Sequence, residues 1–220
     1  MTPDPLFNQQ RGGTAAIDLH SVRTFLRQWM RDPVKMASVT PSGRQLTRLM
    51  IEQLPPGCSR VVELGAGTGV FTRALLDAGI APSQLLVVEI NPDLVAFLRD
   101  RFPGITAVCA DARHLDALAD EHGLLAEGKV DAIVSGLGML SMRSEMRGAI
   151  LRAAFATLGE RGRFIQFTYG PASPVRRKER EALGLRVRRV GFAPRNLPPA
   201  TVYVYERMRS REIPARPVRD

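Results

Sequence analysis

The chain has 220 residues, 45% of them hydrophobic, with two cysteines and a formal net charge of +9; this suits one globular domain with a full core and leaves little room for a second. Cys58 and Cys109 are too few for a disulfide framework, His20, His114 and His122 are scattered, and no apolar run is long enough to span a bilayer, so the expectation is a protein without a metal, neither secreted nor integral, in a reducing cytoplasm. The charge is +4 over residues 1–60, −3 over 61–170 and +8 over 171–220, and basic flanks point to a polyanionic partner, nucleic acid or an anionic membrane surface, with a merely cationic soluble surface as the plainer alternative.

Residues 1–18 read as a flexible N-terminus, and 19–42 as an amphipathic helix with its connection. At 100° per residue, Leu19, Val22, Phe25, Leu26, Trp29 and Met30 fall within about 140°, while His20, Arg23, Arg27 and Arg31 crowd the other side. Asp18 is a good N-cap and Pro33 ends the pattern. On amphipathicity alone such a helix packs on its domain; Trp and Phe opposite Arg also suit an anionic membrane interface.

From residue 43 to 207 the pattern is that of a doubly wound α/β domain, with a seven-stranded, mostly parallel sheet. Strands are expected at Arg60 to Leu64, Leu85 to Glu89, Ile105 to Ala110, Val130 to Ser135 and Arg163 to Thr168. Helices fall between them: Val70 to Ala78 ending at Gly79, one opened by Pro92 and stopped at Pro103-Gly104, and a long one over Ser144 to Leu158. Cys109 closes an apolar run and reads as a buried core thiol. After a Pro- and Arg-rich stretch, Arg186 to Phe192 and Thr201 to Arg207 predict an antiparallel hairpin on the sheet edge. Residues 208–220 lack periodicity and read as a flexible tail.

The chemistry begins at VVELGAGTGVF, where glycines directly after a strand allow a tight turn and close approach of a ligand to a helix N-terminus. A glycine loop alone is a weak signal, because dinucleotide enzymes carry a similar one. Three acidic residues at successive strand ends sharpen it: Glu63 before the loop, for a cationic cofactor end; Glu89, for ribose hydroxyls, with Ile90 for an adenine face; and Asp111-Ala112, for the adenine edge. Each alone is more readily a helix cap. Together they resemble the class I methyltransferases over residues 59–170. That resemblance implies S-adenosylmethionine as cofactor, S-adenosylhomocysteine as product, and Glu63, Gly65, Ala66, Gly67, Glu89, Ile90, Asp111, Ala112, Ser135 and Gly136 as the residues that hold it.

In that family the fourth strand end faces the transferred methyl. Adenine methylases place an amide, prolines and an aromatic there; this chain has Ser135-Gly136-Leu137-Gly138-Met139, which disfavours RNA adenine dimethylation, the second reading. A silent cofactor-binding adaptor, the third, would be expected to lose Glu63, Gly65, Gly67 or Glu89. A wider resemblance runs from residue 19 to 207. FLRQWMRDPVKMASVTPSG, SGLGMLSM, FTYGPASPV and NLPPATVYVYER are similar to the bacterial phospholipid N-methyltransferases, which convert phosphatidylethanolamine to phosphatidylcholine. Gly138 stands where that family usually has proline, and Ser42-Gly43 where it often has two serines.

This likeness implies a monomer, peripheral at the inner face of the cell membrane, with a phospholipid substrate and no nucleic-acid partner. Phe25, Trp29, Arg23, Arg27 and Arg31 would then meet the membrane, and Arg177 and Arg180 the lipid phosphate or the membrane surface, an ordinary charged loop being the plainer alternative. Tyr169, at the end of the fifth strand, is the candidate catalytic residue, its ring facing the lipid ammonium. The proton that the amine must lose goes to water or to Tyr169.

Overall fold

The computed structural model describes residues 41–208 apart from residue 197, so the anticipated helix over residues 19–31 and the two terminal segments lie outside the described residues. Seven strands form one sheet: β1 Val61–Leu64, β2 Leu85–Glu89, β3 Thr106–Cys109, β4 Val130–Ser135, β5 Leu158–Thr168, β6 Leu185–Ala193 and β7 Ala200–Arg207, in the order β3-β2-β1-β4-β5-β7-β6. Strands β1 to β5 are parallel; β7 lies antiparallel between β5 and β6. The helices are α1 Pro41–Ile51, α2 Val70–Asp77, α3 Pro92–Arg101, α4 Leu115–Glu121, α5 Ser144–Thr157 and α6 Arg177–Ala182.

The central strands are mostly apolar because both faces are covered, with Glu63 and Glu89 as exceptions at or near their carboxyl ends. Every residue of β1 and β2 is buried, so no polar alternation survives to be read. One apolar layer includes Leu115, Ile150, Leu151 and Phe164 on the α4 and α5 side. The other includes Met50, Leu75, Leu98 and Ile165 on the side of α1, α2 and α3. Local chemistry fixes the helix starts. Asn91 caps α3 with its side-chain oxygen accepting from the Asp93 and Leu94 amides at 2.9 and 3.4 Å, and Pro92 supplies the first-turn φ.

Four features depart from the sequence reading, one being helix α6 within the stretch read as Pro- and Arg-rich. Helix α1 is additional: PSGRQLTRLMI looks like a loop at its start, yet Leu46 and Met50 are 5% and 0% exposed, and this burial outweighs poor local propensity. Strand β5 starts at Leu158, directly after α5, rather than at Arg163. Cys109 is exposed rather than buried, because it ends the sheet-edge strand β3; its thiol lies 3.6 Å from the Ile90 carbonyl oxygen.

Candidate active site

The carboxyl ends of the parallel strands bring the glycine loop and two acidic groups together. Gly65, Gly67 and Gly69 adopt φ of 69°, 57° and 80°, a left-handed conformation that any side chain would strain. A Cβ on Gly69 would stand 2.4 Å from the Phe102 ring, so this glycine also lets α3 pack close. Gly65 N–H donates to the Val88 carbonyl at 2.8 Å, tying the loop to β2.

Glu89 is 8% exposed. Its Oε2 accepts from the Gly67 amide at 3.0 Å, and its Oε1 from the Ile90 and Asn91 amides at 2.8 and 3.1 Å. A carboxylate has about four lone-pair sites, so Oε2 retains one for a further donor. Beside it Ile90 is 69% exposed.

Glu63 is fully buried. Its Oε2 accepts from the Thr72 hydroxyl at 2.6 Å, and its Oε1 has no partner among the described residues. Burial pushes its carboxyl up to about 7, with the Thr72 hydroxyl pulling the other way. Asp111 is engaged locally. It caps the turn over Ala112–His114, accepting from the Arg113 amide at 2.9 Å, and pairs with the Arg113 guanidinium at 2.8 Å; that bond lowers its pKa.

The β4 end is locked against the glycine loop. Gly136 N–H donates to the Leu64 carbonyl at 2.8 Å, and a Cβ on Gly136 would lie 2.6 Å from the Gly65 carbonyl oxygen, so backbone meets backbone. Ser135 Oγ, buried, accepts from the Leu137 amide at 3.3 Å. Gln166, opposite Ser135 in the register, donates from Nε2 to the Leu137 carbonyl at 3.0 Å. Arg147 donates to the Met142 carbonyl at 2.5 Å and pairs with Glu179 of α6 at 2.6 Å. Leu137, Gly138 and Met139 then face Phe167, Thr168 and Tyr169 across a shallow open cleft. Tyr169 is half-buried, packs edge-to-face on Phe167 with centroids 5.4 Å apart, and burial pushes its phenol up to about 12.

Residues 61–162 match the family model for a methyltransferase domain. Over 183 residues the chain is 33% identical to an ornithine lipid N-methyltransferase from Singulisphaera acidiphila, covering 81% of this chain and 92% of that protein. The chain belongs to the class I S-adenosylmethionine-dependent methyltransferases. A shorter likeness, 39% identity over 83 residues, joins this methyltransferase to ribosomal RNA small subunit methyltransferase A of Bordetella pertussis, over 37% of this chain and 30% of that one. The fold recurs in the Burkholderia thailandensis 1,6-didemethyltoxoflavin-N1-methyltransferase, solved with S-adenosylhomocysteine (TM-score 0.59, 17% identity, 90% and 93% of the two chains). It recurs also in the Synechocystis magnesium protoporphyrin IX methyltransferase with bound S-adenosylmethionine (TM-score 0.56, 14% identity, 89% and 86%).

S-adenosylmethionine is the cofactor of this methyltransferase, and its residues fit that group. Glu63 offers an unpartnered buried oxygen, the loop at Gly65 to Gly69 runs through three left-handed glycines at the strand ends, and exposed Ile90 adjoins the Glu89 carboxylate. Glu63, Gly65, Ala66, Gly67, Glu89, Ile90, Ser135 and Gly136 all lie in or beside the ends of β1, β2 and β4; Asp111 and Ala112 lie just past β3. Tyr169 lies across the cleft from the β4 loop. Arg177 and Arg180 stand apart on α6, where Arg177 pairs with Glu181 at 2.6 Å and Arg180 donates to the Val175 carbonyl at 2.7 Å. Phe25, Trp29, Arg23, Arg27 and Arg31 lie outside the described residues.

Sequence reasoning missed Thr72, Arg147 and Gln166. Gln166 carried a signal, an amide within the apolar run RFIQFT. Arg147 carried none, because it sits in an ordinary helical pattern and its burial, 7% exposed, depends on Glu179 far along the chain.

Proposed function

We propose that this methyltransferase N-methylates the primary amine of a membrane lipid head group, forming the mono-, di- and trimethylated products in turn at the membrane surface. The observation that carries this is the 33% identity to the ornithine lipid N-methyltransferase across 92% of that protein's length. Phosphatidylethanolamine is the substrate that the FTYGPASPV and NLPPATVYVYER segments favour, and ornithine lipid the one that the relative favours. Both lipids present a primary amine, so the site chemistry is shared.

Bound S-adenosylmethionine supplies a methyl group on a sulfonium, ready for displacement by a nucleophile. The protein's task is alignment. In this reading Glu63 faces the cofactor's ammonium, Glu89 its ribose hydroxyls and Ile90 its adenine. Ser135 and Gly136 hold the β4 loop at the methyl. Arg147 and Gln166, each bonded to carbonyls of that loop, fix the wall opposite Tyr169. A primary ammonium with a pKa near ~10.4 must shed a proton before it attacks. Burial, which pushes the Tyr169 phenol up to about 12, disfavours its phenolate; in this reading water or Tyr169 receives the proton, and the Tyr169 ring is offered to the amine.

Incubation with labelled S-adenosylmethionine and vesicles of either lipid, in parallel with ribosomal RNA, tests the reading. Label should enter an aminolipid and not the RNA. Label in RNA alone would overturn it in favour of the reading that the Bordetella relative suggests.

A further inference from the structure

Among the described residues the exposed large apolar side chains are Val70, Ile90, Met146 and Phe192. The topology puts all four at one end of the molecule. Val70 opens α2 just beyond the glycine loop, Ile90 follows β2, and Met146 lies in the first turn of α5 on the way out of β4. Phe192 reaches the same end from the other direction. The register sets Phe192 beside Thr201, and Thr201 beside Thr168 at the carboxyl end of β5. The opposite end, where loops enter the parallel strands, exposes Pro56, Ser59, Pro82, Glu127 and Lys129 instead.

Arginines accompany the apolar residues. Arg143 is exposed three residues before Met146, the Arg189 guanidinium lies 5.9 Å from the centroid of the Phe192 ring, and Arg195 is exposed just past β6. Single exposed apolar residues are ordinary. Their segregation, with arginines, to the one end that carries the acceptor cleft is not.

We infer that this end of the sheet docks on an anionic phospholipid bilayer, Met146 and Phe192 entering the interface while Arg143, Arg189 and Arg195 meet lipid phosphates. The inference rests on the lipid reading above and adds the surface through which the lipid is reached. Ile90 is left to the cofactor. A bilayer fits better than a protein partner because Met146 and Phe192 are set apart from each other among charged residues, with exposed Arg143, Arg189 and Arg195 outnumbering the adjacent Glu145. Side chains that sit at head-group level are arranged so, whereas a protein interface buries a contiguous core with few charges. Docked this way, the cleft between Leu137 and Tyr169 opens toward the plane of the head groups. An amine then reaches it without its acyl chains leaving the membrane.

The test uses the full chain, sedimented with phosphatidylglycerol–phosphatidylcholine vesicles, in two variants: Met146→Ser with Phe192→Ser, and Arg143, Arg189 and Arg195 each →Glu. An arginine near such a surface contributes about fivefold in affinity, so the reversed variant should bind at least about 100-fold more weakly and the serine variant at least about tenfold. Both should keep the melting temperature, S-adenosylhomocysteine affinity and the wild-type methylation rate on a short-chain aminolipid dispersed as monomer. Vesicle affinity unchanged in both variants overturns the docking face. A wild-type dimer that Phe192→Ser dissociates, with vesicle affinity unchanged, assigns the face to a second copy and overturns it too. Wild-type chain that binds vesicles through these residues yet methylates no aminolipid supports the face while refuting the substrate reading.

Discussion

Glu63 makes a prediction whose sign runs against intuition, because removing its charge should stabilise the protein. Its pKa is raised from 4.5 to about 7 by burial. The unfolded chain therefore gives up this proton first, and stability falls as pH rises between those two values, then stays level above them. At 1.36 kcal/mol per unit the full loss is about 3 kcal/mol. Glu63→Gln keeps the shape and an oxygen for the Thr72 hydroxyl but places amide hydrogens where Oε1 lacks a partner, which returns about 1 kcal/mol. The net gain at pH 8 is about 2 kcal/mol, a rise of about 4–8 °C in melting temperature for a chain of this size. Thermal melts of both proteins from pH 5 to 8 check it, and the variant should lack the wild-type decline. The same variant should bind S-adenosylhomocysteine at least about tenfold more weakly at pH 8, for want of a charge facing the ammonium. Wild-type affinity should rise with pH through about 7, since binding favours the ionised carboxyl. Parallel melting curves for the two proteins would refute the buried-charge argument; undiminished affinity would leave Glu63 a purely structural group.

Glu89→Ala frees three backbone amides, those of Gly67, Ile90 and Asn91, at about 1 kcal/mol or more each; calorimetry should show loss of S-adenosylhomocysteine binding together with a melting temperature lowered by several degrees. Gly67→Arg, at a φ of 57°, should abolish cofactor binding with a smaller thermal effect, again read by calorimetry. Tyr169→Ala should lower kcat/KM for the lipid by about 2- to 30-fold, as expected of a ring facing a cation, while Tyr169→Phe keeps most of the activity and the wild-type pH–rate profile; an altered alkaline limb in the Phe variant would identify the hydroxyl as proton acceptor. Gln166→Leu removes the tie to the Leu137 carbonyl and should lower kcat about tenfold with S-adenosylhomocysteine affinity unchanged, which single-turnover kinetics would show.

Much of the fold was legible because parallel strands buried on both faces leave unmistakable apolar runs. VVEL and LLVVE could be little else once helical patterns separated them. The glycine loop was legible for a different reason: glycine is the residue that adopts the φ values at positions 65, 67 and 69 without strain. What escaped notice depends on partners distant in sequence. Helix α1 forms because Leu46 and Met50 meet a core assembled from strands that come later. Arg163 to Thr168 was read without the five residues before it, since GERG looks like a turn until β4 pairs with Leu158 through Val130. Asp111 was read for the adenine edge, yet it also serves as the local cap that a lone acidic residue more often is.

The two halves of the site are thereby held by different kinds of bond. The cofactor half rests on backbone geometry, with amides of the glycine loop and of residues 90 and 91 converging on one carboxylate. The acceptor half rests on side chains: Gln166 and Arg147 hold the carbonyls of Leu137 and Met142, and Phe167 supports Tyr169. Side-chain ties of this sort can be exchanged in pairs without disturbing the sheet, so the acceptor can change between members of one fold while the cofactor stays the same. Tests of substrate belong at Gln166, Arg147 and Tyr169, and tests of cofactor at Glu63 and Glu89.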